Sequence, residues 1–75
     1  MTNAKERNMN SVMTSLTNWF TSGKMYGPSY RDLSESSGLP IGTVHKTCKM
    51  MRDNGLIDFD ENIARSIRLI GNLHA

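Results

Sequence analysis

A mainly α chain with a small β-hairpin at its end (an α+β fold of three helices and two strands) is the fold class this sequence predicts. Three observations carry the prediction. Apolar residues recur at helical spacing from Met9 to Phe20. Glycines at 23, 38 and 55 close three successive segments. After Gly55 the spacing shortens toward the alternation of strands. A chain of 75 residues holds one domain with a thin core, so a single domain over 1–75 is expected.

The first helix is expected over about 4–22, with Asn3 as its cap and Glu6 at the capping-box position. Met9, Val12, Met13, Leu16, Trp19 and Phe20 form one stripe at i, i+3, i+4, i+7, i+10 and i+11. The stripe reads as core, with a dimer seam as the alternative. Gly23 caps the helix end. Lys24 to Gly27 then form a connector, with a short strand expected at Met25–Tyr26. Pro28 blocks helix, and Ser29 caps a second helix over about 29–37, with Asp32 as its capping-box partner. Tyr30 and Leu33 are expected to point inward. Gly38 stops the helix and lets Leu39 fold back on Leu33.

Pro40 suits the first turn of a third helix, about 40–54, because the amide it lacks has no partner there. Val44, Cys48 and Met51 fall at i, i+4 and i+7 as the buried stripe, with Ile41 and Thr47 at its edges. Gly42, Lys46, Lys49 and Asp53 face the other way, flanked by Thr43, His45 and Met50. Asn54–Gly55 closes the helix, with Leu56 covering Met51. The tail, about 56–70, reads as a hairpin with strands at 56–59 and 64–70 and a turn at 60–62. Ile63, Ile67 and Leu69 are expected on its buried face. Residues Gly71 to Ala75 are expected to fray.

The formal net charge is +2, but its distribution is uneven. Through Arg52 there are seven basic against three acidic side chains; from Asp53 on there are two against four. A basic front half suits a phosphate-facing surface. Cys48 is the single cysteine, so no internal disulfide forms and a reducing compartment is expected. It reads as a small core residue. His45 and His74 read as lone solvated imidazoles, and no metal site is expected. Phosphate-binding loops, nucleophile elbows and zinc-helix motifs do not occur, so neither an enzyme nor a cofactor is expected. Without a span of roughly 20 apolar residues, a cytoplasmic, nucleoid-associated location is expected.

Three helices followed by a hairpin describe a winged helix-turn-helix, and the ordered motifs resemble the DNA-binding domain of the LexA repressor and its relatives. The residues that carry the resemblance are Pro28–Ser29, Gly38–Leu39, Thr43–Val44–His45–Lys46, Gly55–Leu56–Ile57 and Arg65–Ser66–Ile67–Arg68–Leu69. They run over nearly the whole chain, from the first helix to Ile70. The sequence departs from that family in four ways. The self-cleaving protease domain of the repressor does not follow, so neither autoproteolysis nor its mode of pairing is expected. Pro40 replaces a capping hydroxyl. Ser37 stands where a core Leu is common. Asp58, Asp60 and Glu61 open the wing, where carboxylates repel phosphates.

The resemblance implies a sequence-specific regulator of transcription that binds double-stranded DNA, a repressor of phage or plasmid type. The helix at 40–54 would enter the major groove. On its outward face Thr43 suits a hydrogen bond or a thymine methyl, and Lys46 suits guanine O6 and N7. Gly42 allows close backbone approach, Ile41 and His45 flank the contact, and Lys49 suits phosphate. Ser29, Arg31 and Arg65 are the further backbone anchors. Two or three base contacts give modest specificity, so a homodimer on a two-part site is expected. The alternative is a winged-helix interaction module that binds a host protein, such as RNA polymerase or another regulator.

Overall fold

A computed structural model of the chain describes residues 3–70. The fraying expected at Gly71 to Ala75, and His74 with it, lie outside the described residues. Helix α1 spans Ala4–Thr21, α2 Tyr30–Ser37 and α3 Ile41–Asp53. Strands β1 (Ile57–Asp58) and β2 (Arg68–Leu69) pair antiparallel, with Ile57 opposite Leu69 and Asp58 opposite Arg68.

Each helix begins and ends for a local reason. At the start of α1 the Asn3 Oδ1 accepts from the Glu6 amide at 2.8 Å. At the start of α2 the capping box is complete: the Asp32 amide donates to Ser29 Oγ and the Ser29 amide donates to Asp32 Oδ2, both at 3.0 Å. Pro40 opens α3 without a side-chain cap. The end of α3 is a Schellman motif, in which Gly55 N–H donates to the Arg52 carbonyl and Leu56 N–H to the Met51 carbonyl. Gly55 supplies the left-handed φ of 75° this needs. Replacing Ser29 by Ala is expected to lower stability by about 1 kcal/mol, read as a shift of the urea midpoint. Ser29→Asn, which keeps an acceptor, should lose less; equal losses would contradict the capping role.

The core forms where the three helices and the hairpin meet. Val12, Met13 and Leu16 come from α1, Leu33 from α2, and Val44, Cys48 and Met51 from α3. Ile57, Phe59 and Ile67 close it from the hairpin. Most of the α1 stripe is therefore spent on this core, with Met9 and Phe20 packed at its margins, while Trp19 is not part of it. Thr47, expected at an edge, is buried at 1% exposure, while Ile41 remains 48% exposed at the first turn of α3.

The hairpin and the connector differ from expectation. The strands are two residues each, because side chains take over the backbone groups of the loop between them. The Asp60 amide donates to Ser66 Oγ at 2.8 Å, and that hydroxyl donates back to the Asp60 carbonyl at 3.0 Å. The Asn62 amide donates to Asp60 Oδ1, and the Ile63 amide to the Asp60 carbonyl. The loop thus curls instead of extending the ladder. It carries Ile63 out to 60% exposure, and Leu69 is also exposed, so Ile67 alone of the three expected residues fills the core.

No strand forms at Met25–Tyr26. The Trp19 indole N–H donates to the Tyr26 carbonyl at 2.6 Å and draws the connector onto the end of α1. The connector's bond to the wing comes one residue later, from Gly27 N–H to the Arg65 carbonyl at 3.2 Å. A Cβ on Gly27 would overlap the Ile67 carbonyl oxygen and stand 2.9 Å from the Ile67 amide nitrogen. Glycine is needed here for close approach of two backbones.

Candidate nucleic-acid interface

Helix α3 divides cleanly by burial. Val44, Thr47, Cys48 and Met51 are buried, while Gly42, His45, Lys46, Lys49 and Asp53 are exposed. The helical period produces this split. Lys46 and Lys49 have no carboxylate partner among the described residues. Gly42 has open space around it: a Cβ there would meet nothing within 4 Å. Thr43 is half-buried beside it, and Ile41 stands exposed at the helix start.

His45 is not free of contacts. Its ring lies 3.8 Å from that of Tyr30, centroid to centroid, with the planes tilted by 33°. Tyr30 is half-buried and does not point wholly inward. It bridges the start of α2 to the open face of α3 and meets Phe59 edge-on at 6.1 Å. Burial is the main cause that raises the pKa of its phenol, so the hydroxyl stays protonated and able to donate. No spacing within one element couples Tyr30 to His45, because the contact joins two helices.

The start of α2 carries a more complex arrangement than its motif suggests. Ser29 Oγ is already accepting from the Asp32 amide, which leaves its hydroxyl proton available. The hydrogen bond from the Ser29 amide, first among several causes, holds the Asp32 carboxyl below its usual range. Arg65 closes over the same carboxylate at 3.0 Å. It does so from a left-handed backbone with φ 58°, unusual for a residue with a side chain. Arg65 is therefore shared between the Asp32 pair and any outside anion. Arg31, by contrast, is exposed and unpaired among the described residues.

The acids of the wing are largely neutralised within the fold. Asp58 pairs with Arg68 at 2.8 Å and Glu61 with Arg52 at 3.4 Å. Arg52 also lies over the Phe59 ring at 4.3 Å. Asp60 spends its carboxylate on the loop turn. Each ion pair is exposed and contributes little stability, but together they blunt the repulsion a phosphate would meet.

Residues 27–58 match the model of a family described as winged helix-turn-helix DNA-binding. That segment covers α2, α3 and β1, with α1 packed beneath it and the return strand beside it. The chain carries a winged helix-turn-helix. No curated protein and no solved structure matches the chain. In this winged helix-turn-helix, no group of three or more His, Cys, Asp or Glu side chains suited to a metal occurs among the described residues. Nor is any helix among them long and apolar enough to cross a membrane. Cys48 sits in the core, and burial raises its thiol pKa to about 12, so it stays a neutral packing group.

Proposed function

We propose that the protein is a sequence-specific transcriptional regulator that binds double-stranded DNA through α3. The reading goes further, to a repressor of phage or plasmid type related to the DNA-binding domain of LexA. The single observation that supports it best is the bare outward face of α3, with two unpaired lysines and an open glycine inside the segment that matches the DNA-binding family.

On this reading Thr43 and Lys46 contact base edges in the major groove, and Gly42 lets the helix backbone come close. Ile41 and His45 border that contact, with Tyr30 steadying the imidazole. Lys49, Arg31, Ser29 and Arg65 hold phosphates and set the register. Specificity then comes from two or three base contacts, each worth roughly 1–3 kcal/mol of discrimination. A homodimer on a two-part site multiplies that modest specificity. Repression follows from occupying an operator.

The alternative, a module that docks on RNA polymerase or another host regulator, drew its support from the acidic wing. With Asp58 and Glu61 held in ion pairs, that support is weaker. Selection from a pool of randomised duplexes, followed by titration of the enriched site, tests the proposal. Enrichment of a defined sequence is expected, with affinity falling steeply as salt rises. Three cationic phosphate contacts in each protomer, from Lys49, Arg31 and Arg65, give a log–log slope of about −3 for one domain and about twice that for the homodimer. No enrichment and a flat salt response would overturn it.

A further inference from the structure

A run of contacts leads from the open face of α3 to the far end of α1. His45 stacks on Tyr30 at the start of α2. Two residues along, Asp32 holds Arg65 at 3.0 Å. The Arg65 guanidinium lies 5.2 Å from the Tyr26 ring and 6.0 Å from that of Trp19. Lys24 completes the run, its ammonium 4.9 Å over the Trp19 ring. Trp19 and Tyr26 meet edge-on at 5.9 Å, and the indole is fixed to the Tyr26 carbonyl.

The core has no use for the outer part of this cluster. Tyr26 is half-exposed, and Lys24 has no carboxylate partner among the described residues. Its one acid, Asp32, is paired with Arg65, which leaves Lys24 as the cation of the cluster with no carboxylate beside it among the described residues. What remains is a shelf on which the Lys24 ammonium and the Arg65 guanidinium, the latter shared with Asp32, are held against the Trp19 and Tyr26 rings. Aromatic contact holds each cation in place, so less side-chain freedom is lost when an anion arrives. Phosphates of a polyanion at regular spacing fit such a shelf better than a single small anion, because the two cations stand on different elements.

We propose that Lys24, Tyr26 and Arg65 form a second DNA-contacting surface, which grips the phosphate backbone flanking the site read by α3. The proposal rests on the DNA-binding reading above and extends its footprint beyond the wing side of that site. Lys24 and Arg65 neutralise phosphates, Tyr26 donates a hydrogen bond to one, and Trp19 is the platform that positions Lys24. These contacts carry no base preference, so they add affinity uniformly across sequences.

The test compares two duplexes: the enriched site with a full helical turn of flank on each side, and the same site trimmed of its flanks. The variant Lys24→Gln/Tyr26→Phe alters only exposed side-chain ends and leaves the Tyr26 carbonyl bond intact. On the flanked duplex it is expected to bind several-fold more weakly, with a salt slope shallower by about 0.9 for each protomer's lost lysine contact. On the trimmed duplex it should match the unsubstituted protein. Lys46→Gln should weaken binding to both. Equal behaviour of the double variant and the unsubstituted protein on the flanked duplex would overturn the shelf, as would an equal loss on both duplexes. Failure of the unsubstituted protein to bind either duplex would instead overturn the DNA-binding reading itself, and the shelf with it.

Discussion

Gly27→Val is expected to leave the chain largely unfolded at room temperature. The new side chain would be driven into the Ile67 carbonyl and amide, backbone atoms that a rotamer change cannot move. Overpacking typically costs about 1–3 kcal/mol when side chains can yield; here the connector and the return strand must separate. That would also break the Gly27–Arg65 bond and lift Ile67 from the core. At roughly 0.05–0.15 kcal/mol per residue, a domain of this size has only several kcal/mol in reserve. Gly27→Ala should show an intermediate loss. Far-ultraviolet circular dichroism and urea denaturation check both. Gly42→Ala is the matched control: with open space around it, alanine in a helix should raise stability by roughly 0.5–1 kcal/mol. A Gly27→Val protein as stable as its parent would show that the connector and wing are not in this close contact.

Lys46→Ala is expected to weaken binding to the enriched duplex by roughly 1–3 kcal/mol, the value of one good base pairing. Stability should stay within about 0.5 kcal/mol of the parent, since the side chain is exposed and unpaired. Gly42→Ala sharpens the argument, because it should move the two properties in opposite directions. It stabilises the free protein and yet weakens the complex, since a methyl group would stand between α3 and the floor of the groove. A glycine kept in the first turn of a helix, with open space around it and no packing reason, is what close approach to a ligand would require. Unchanged affinity in both variants would remove α3 from the reading role.

The helices were legible in the sequence because their signals are local. Asn3 and Ser29 announce their caps, Gly38 and Gly55 their ends, and the spacing of Val12, Leu16, Val44 and Met51 marks the buried faces. The hairpin was legible in outline only. Its strands shrink because Ser66 and Asp60 hydrogen-bond across the loop, a side-chain competition that alternation of apolar residues does not reveal. Ile63 was misplaced for the same reason. The connector failed as a strand because one indole N–H redirected it, a contact seven residues apart that no period encodes.

The surface was legible unevenly as well. The outward set on α3 follows from helical geometry alone. The pairing of Arg65 with Asp32 spans 33 positions, and nothing in the order of residues foretells it. Likewise the acids of the wing read as repulsive in sequence, although Arg52 and Arg68 meet two of them in space. Net charge by segment is therefore a poor guide to the field a phosphate would meet; the pairing decides it.

The open side of α3 is expected to read base pairs. The most direct test is to run the duplex selection with the parent protein and with Lys46→Ala side by side. The expected result is that one position of the enriched site, or its symmetric pair, loses its base preference while the others keep theirs. Identical preferences at every position would contradict the claim.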